Sequence, residues 1–330
     1  MAKKGSYIVD YFNNRGFFGL SLWVLVSLSV IASGNFEVPQ RGYGTLHNIA
    51  DWILSSGDTS CFVAVLCNIV IGVLLVTLNI MYRYIKTYNC FVFASVFVLL
   101  QGMNPFLSTR FFAGTAMCLV VVIALFFLFD LYGKQQMASQ GVFLIMALLS
   151  FFSIYHYVFL LLVPLFIVGF AYMRAINVRT VLATIFGLLT PYWIALGTGL
   201  ESFSSFNAPE LAQVWSNVPS YPAKSWAISI AIATTALTVL LTVGNFKTML
   251  NYSVHVRAYN NFFVALSIFV LLMMLVDYND FLLYLPLMNM CLAIQFGHWY
   301  VITRHETRQP VTMWLLVAML TAYIVAMAIV

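Results

Sequence analysis

Eleven stretches of this sequence stay apolar for long enough to cross a bilayer, and that succession constrains the fold more than any motif does. A helix rises about 1.5 Å per residue, so roughly 17 to 25 apolar residues cover about 30 Å of hydrocarbon. The stretches run approximately over 17–33, 59–82, 90–104, 112–131, 141–154, 156–173, 180–198, 226–244, 262–276, 281–303 and 312–330. The third, fifth and ninth are short. Residues 141–173 read either as two spans or as one kinked helix, and length favours two, since about 33 helical residues would extend roughly 50 Å. The chain is 63% apolar and 8% charged, where a soluble domain carries about a quarter charged residues. That excludes a soluble enzyme, a disordered linker and a nucleic-acid-binding module. The expectation is an all-α integral membrane bundle of about 11 transmembrane helices, a single domain over 1–330 with no soluble domain.

Charge gives the orientation independently, because Lys and Arg are retained on the cytoplasmic side. With the N-terminus in and the C-terminus out, only Arg41, Arg110 and Lys224 of the 15 basic residues fall outside. The acids run the other way: Glu37, Asp51, Asp58, Glu201, Glu210, Asp277 and Asp280 lie outside. Merging the fifth and sixth spans would move Arg174 and Arg179 outside and reverse every later loop. The basic start and first apolar run resemble a signal peptide, but ten further spans and the polar lead holding Asp10 favour an uncleaved first helix. The five cysteines, Cys61, Cys67, Cys90, Cys118 and Cys291, form no C-x-x-C pair and read as packing residues.

Two connections, 34–58 and 198–225, are long, and both lie outside. In the first, Leu46, Ile49, Ala50, Ile53 and Leu54 follow helical spacing behind Thr45 as a cap. This predicts a short amphipathic helix on the outer leaflet. Its polar face carries His47 and Asp51, four residues apart; two ligands make no metal site, and a solvated face is the simpler reading. The second loop mixes Pro209, Pro219 and Pro222 with Phe203, Phe206, Trp215, Tyr221 and Trp226, which predicts an irregular lid.

Inside the spans, no Asp, Glu, Lys or Arg lies near a centre, which argues against proton coupling. The polar set there is Asn68, Asn79, Gln101, Asn289 and Gln295, with Pro164, Pro191 and Pro286 as kinks. Such amides are expected to bond neighbouring helices. At the outer helix ends stand Asn104-Pro105 with Arg110, in a tight turn between the third and fourth spans, then His156, then Asp277 and Asp280.

Three functions fit. The first is a non-catalytic subunit or scaffold of a larger membrane assembly. Its partners would be other integral membrane proteins and membrane lipids, and its helix contacts could use Gly187 and Thr190, or Ala231, Thr234 and Thr238. The second is a glycosyltransferase or polymerase using polyprenyl-phosphate-linked sugars. There Glu37 or Asp51 would serve as catalytic base, with Arg41, Arg110 and His156 binding the lipid phosphate. The third is a facilitator of an uncharged solute. No metal, cofactor or nucleic acid is implied.

The segments NPFLSTRFFAGTAMCLVVVIALFFLFDLYGK, LLSFFSIYHYVFLLLVPLFIVGFAYMR and VRTVLATIFGLLTPYWIALGTGL, within 104–199, carry a resemblance. With their order of spans and an Arg-Thr followed by Gly and Pro, they resemble a family of multi-spanning inner-membrane proteins of Bacteroidota that has no established activity. The resemblance implies a bacterial inner-membrane location and carries over no functional residue.

Overall fold

The computed structural model describes residues 11–33, 57–85, 90–134, 138–199, 224–249 and 252–329. It is all-helical, with no strand among those residues. Among the described residues eleven helices of 11 residues or more follow one another: α1 Arg15–Ala32, α2 Gly57–Tyr82, α3 Val92–Gly102, α4 Ala113–Asp130, α5 Ala138–Tyr155, α6 Val158–Tyr172, α7 Val178–Gly197, α8 Lys224–Met249, α9 Val254–Val276, α10 Phe281–Ile302 and α11 His305–Ile329. Among the described residues nine are long and apolar enough to cross a membrane, while α3 and α6 are shorter. The short ones therefore differ from expectation. The fifth and ninth segments lengthen to Ala138–Tyr155 and Val254–Val276, the latter because Arg257 and Asn260 join the helix behind Ser253 as N-cap. Residues 141–173 divide at His156 and Tyr157 into two helices.

Contacts between helices give their directions. Asn13 Oδ1 accepts from the Phe91 N–H at 2.7 Å where α1 and α3 begin, and Gly102 closes on Leu25 further along, so these two run parallel. Phe111 N–H donates to Ser60 Oγ at 2.9 Å and Tyr82 O–H to the Phe126 carbonyl at 2.9 Å, which makes α2 parallel to α4. Helices α5 and α7 are parallel as well: Ser150 Oγ donates to the Leu188 carbonyl at 2.6 Å and Ser153 meets Tyr192 at 2.6 Å. Two parallel neighbours need a return path, and α6 supplies it. Between consecutive helices the contacts reverse, as in α9 and α10, where Asp277 pairs with Tyr284 and Asn260 with His298. Odd-numbered helices run one way and even-numbered helices the other.

This alternation sorts the charges. Arg15, Arg83, Lys134, Arg174, Arg179, Arg257, Arg304 and Arg308 flank helix ends at one face of the bundle. Arg110, Lys224, Asp277 and Asp280 lie at the other. At the cationic end Lys134 pairs with Asp130 at 2.6 Å, one helical turn apart and exposed, a contact worth a few tenths of a kcal/mol.

The centre is α10, buried almost throughout, with α3 beside it. Small residues let these backbones approach: a Cβ on Gly297 would lie 2.7 Å from Phe93, and one on Gly72 would lie 2.8 Å from Val98. Four of the five small residues offered above as partner contacts are buried in the bundle. Gly187 packs on Met146 and Phe143 of α5, and Ala231, Thr234 and Thr238 are buried within the chain's own bundle. Thr238 also borders the lateral side of α8, and Thr190 of α7 is half-buried, its hydroxyl bonded to the Phe186 carbonyl of its own helix.

Candidate functional site

Helix α3 ends deep inside the bundle. Its last residue, Gly102, stands against Leu25, seven residues before the end of α1, about 10 Å short of that helix's end. The chain then continues through the single helical turn Pro105–Ser108, all four residues buried, and through buried Thr109 and Phe112 into α4. The expected outer turn at Asn104-Pro105 is thus a buried, mostly irregular passage. Proline and the Asn104 cap force it: Asn104 Oδ1 accepts from the Phe106 N–H at 3.2 Å, and Pro105 sits where its missing N–H costs nothing. Irregular backbone at membrane depth is tolerated only where protein covers it or where it lines a cavity.

A layer of polar side chains lies at this break. From the close pairs Gly72 with Val98 and Gly297 with Phe93, one antiparallel turn outward brings Asn68 level with Gly102, and two turns bring Asn289 level with Gln101. Val98 faces α2 and Phe93 faces α10, so Gln101 projects between those directions, toward the gap that α4 closes. Thr115 occupies the first turn of α4, beside Gly114, which touches Leu283. Asn68, Gln101, Asn104, Ser108, Thr115 and Asn289 are each at most 3% exposed.

These groups lack partners. Both side-chain polar atoms of Asn68 and of Gln101, Asn104 Nδ2, Ser108 Oγ, Thr115 Oγ1 and Asn289 Oδ1 are buried with no hydrogen-bond partner in the protein. Amides at this depth were expected to bond adjacent helices, and here Asn68 and Gln101 do not. Each buried unsatisfied group costs about 1–3 kcal/mol, so their number around the end of α3 calls for an explanation. It offers donors and acceptors without charge, beside the partly negative carbonyl end of α3.

A second polar group, nearer the cationic end, is mostly satisfied and structural. His298 Nε2 lies 2.9 Å from Asn260 Oδ1, Asn260 Nδ2 donates to the Tyr84 carbonyl at 3.3 Å, and Asn79 Oδ1 accepts from the Ile85 N–H at 3.0 Å. Asn245 Nδ2 donates to the Gln295 carbonyl at 2.8 Å. Together they fasten the turn after α2 onto α9 and α10. Burial pushes the Tyr84 phenol well above its ordinary pKa, with Cys90 adding to the effect. Asn245, Asn260 and His298 were not singled out in the sequence. Only His298, a lone imidazole inside an apolar run, gave a signal there.

Of the residues named for a phosphate-binding site, Arg110 and His156 lie at the same end of the bundle. Arg110 is half-buried just before α4; His156 is 8% exposed, and its Nδ1 accepts from the Val158 N–H at 3.3 Å, capping α6. Glu37, Arg41 and Asp51, the predicted surface helix with His47, and the second outer loop over 200–223 lie outside the described residues. No group of three or more His, Cys, Asp or Glu that could hold a metal occurs among the described residues. Comparisons with protein-family models, curated proteins and solved structures found no match.

Proposed function

We propose that this multi-pass membrane protein is a facilitator that passes a small uncharged solute, bound at the break between α3 and α4. One observation carries the reading: Asn68, Gln101 and Asn289, with buried side-chain polar atoms that bond nothing, stand level with the end of α3, and Thr115 lies beyond them in the first turn of α4. A helix broken in mid-bundle frees main-chain groups, and neutral amides and hydroxyls beside it suit a solute rich in hydroxyl or amide groups. The absence of charge from these four side chains favours a passive route over an ion-driven one. The subunit reading keeps Thr190, half-buried on α7, from the small residues named for it. The lipid-linked sugar reading keeps Arg110 and His156 at one end, with Glu37 and Asp51 as its untried bases, and alanine replacement of those four would test it in a glycan-assembly assay.

The proposed orientation has eleven crossings, with the cationic end in the cytoplasm and the broken α3 opening outward, in a bacterial inner membrane as the family resemblance implies. A reporter fused after Val330 is expected to register as extracytoplasmic; a cytoplasmic signal would reverse the scheme.

The function is tested by swelling of proteoliposomes in a panel of urea, glycerol, larger polyols and neutral sugars. Entry of at least one solute faster than into protein-free vesicles is expected. Rates equal to those of empty vesicles across the whole panel would defeat the proposal.

A further inference from the structure

A separate feature lies on the lateral face. Helices α8 and α9 diverge around a cleft of about 480 Å³, walled by Val239, Val243 and Phe246 on one side and by Val264, Ile268 and Leu271 on the other, with Met288 of α10 behind. Its hydroxyls are turned away. Thr238 Oγ1 donates to the Thr234 carbonyl at 2.7 Å, Thr242 Oγ1 to the Thr238 carbonyl at 2.7 Å, and Ser267 Oγ to the Phe263 carbonyl at 2.9 Å. The wall therefore presents hydrocarbon. Val243 is 70% exposed and Ile268 56%, so the cleft opens sideways toward lipid.

Arg257 completes the stripe. It precedes Val264, Ile268 and Leu271 by seven, eleven and fourteen residues, spacings that share one helical face. That face runs about 21 Å, the depth of one leaflet of roughly 15 Å of hydrocarbon plus its headgroup margin. Arg257 lies at the cationic end of the stripe, half-buried, with its Nε enclosed and lacking a hydrogen-bond partner. A guanidinium fork matches phosphate oxygens.

We infer that the α8–α9 cleft is a phospholipid site, with acyl chain against Val243, Ile268 and Leu271 and the phosphate on Arg257. The width of the cleft and the charge at one end of it suit this occupant. Thr238 to Phe246 spans about 12 Å, which leaves a mean cross-section of about 40 Å², half that of a helix about 10 Å wide. An acyl chain fits that width, and Arg257 at the cationic end of the stripe supplies the charge complementary to a phosphate. This site is independent of solute passage at α3.

The test is native mass spectrometry of the full chain, stripped in mild detergent and then offered phosphatidylglycerol or diacylglycerol. One phosphatidylglycerol per chain is expected, retained at least about tenfold over diacylglycerol, a difference of about 1.4 kcal/mol. Arg257→Gln should abolish that preference. Ile268→Trp should fill the cleft and lower retention of both lipids about tenfold, whereas Val325→Trp, exposed on α11, should leave it unchanged. Equal retention of the two lipids by the wild-type chain, or equal retention by all variants, would overturn the site; the first arm needs no variant to fold.

Discussion

Gly114→Val is expected to abolish recovery of folded protein, or to destabilise it by about 3 kcal/mol or more. Gly114 opens α4 where that helix meets α10. A Cβ there would overlap the Leu283 carbonyl oxygen and lie 2.5 Å from the Phe112 ring. A phenyl ring can turn aside, but a backbone carbonyl in the central, almost wholly buried α10 cannot. Cys118 meets the Pro286 carbonyl at 3.8 Å one turn along, so the two helices cannot separate at one point without losing contact at the next. The measurement is thermal unfolding in detergent, together with monodispersity on gel filtration. Gly19→Ala and Gly244→Ala serve as controls, since nothing lies within 4 Å of a Cβ at either position. Both should hold or gain up to about 1 kcal/mol from helix propensity. A valine variant whose Tm lies within about 2 °C of wild type would show that α4 and α10 are not in close contact.

What the sequence made legible follows from the solvent. In hydrocarbon each helix must satisfy its own backbone, so apolar length announces helices reliably: nine expected segments recur among the described residues as helices long enough to cross, and shorter apolar helices lie on the third and sixth. Loop charges were legible too, because alternate helix directions gather Arg15, Arg83, Lys134 and Arg257 at one end. Depth and facing were not. Pro105, Phe106 and Leu107 read alike in an outer turn and in a buried one, so hydropathy hid the burial of the passage that follows α3. Ala231 and Thr238 could face lipid, a partner or their own bundle, because all three environments accept the same small side chains. At the candidate site, Asn68, Gln101 and Asn289 were visible as buried amides. Their missing partners were not, since satisfaction depends on which helices meet, and Asn260 and His298 find each other across 38 positions.

Those missing partners make the second large effect one of opposite signs. Asn68→Leu and Gln101→Met keep approximate shape and remove the four amide atoms that bond nothing. If the amides served only packing, an apolar replacement would be neutral or favourable for the fold and would change nothing else. For a solute site the outcome divides. The double variant should be more stable by about 1–3 kcal/mol, because buried unsatisfied groups disappear, while solute entry into proteoliposomes falls to the rate of empty vesicles. Polar groups kept at such a cost are expected where function opposes stability. Thermal unfolding and swelling measured on one preparation separate the cases. A variant that is more stable and still permeable would detach the amides from transport. One that loses stability would mean that Asn68 and Gln101 already satisfy each other within the fold, and the layer at the end of α3 would then be scaffolding.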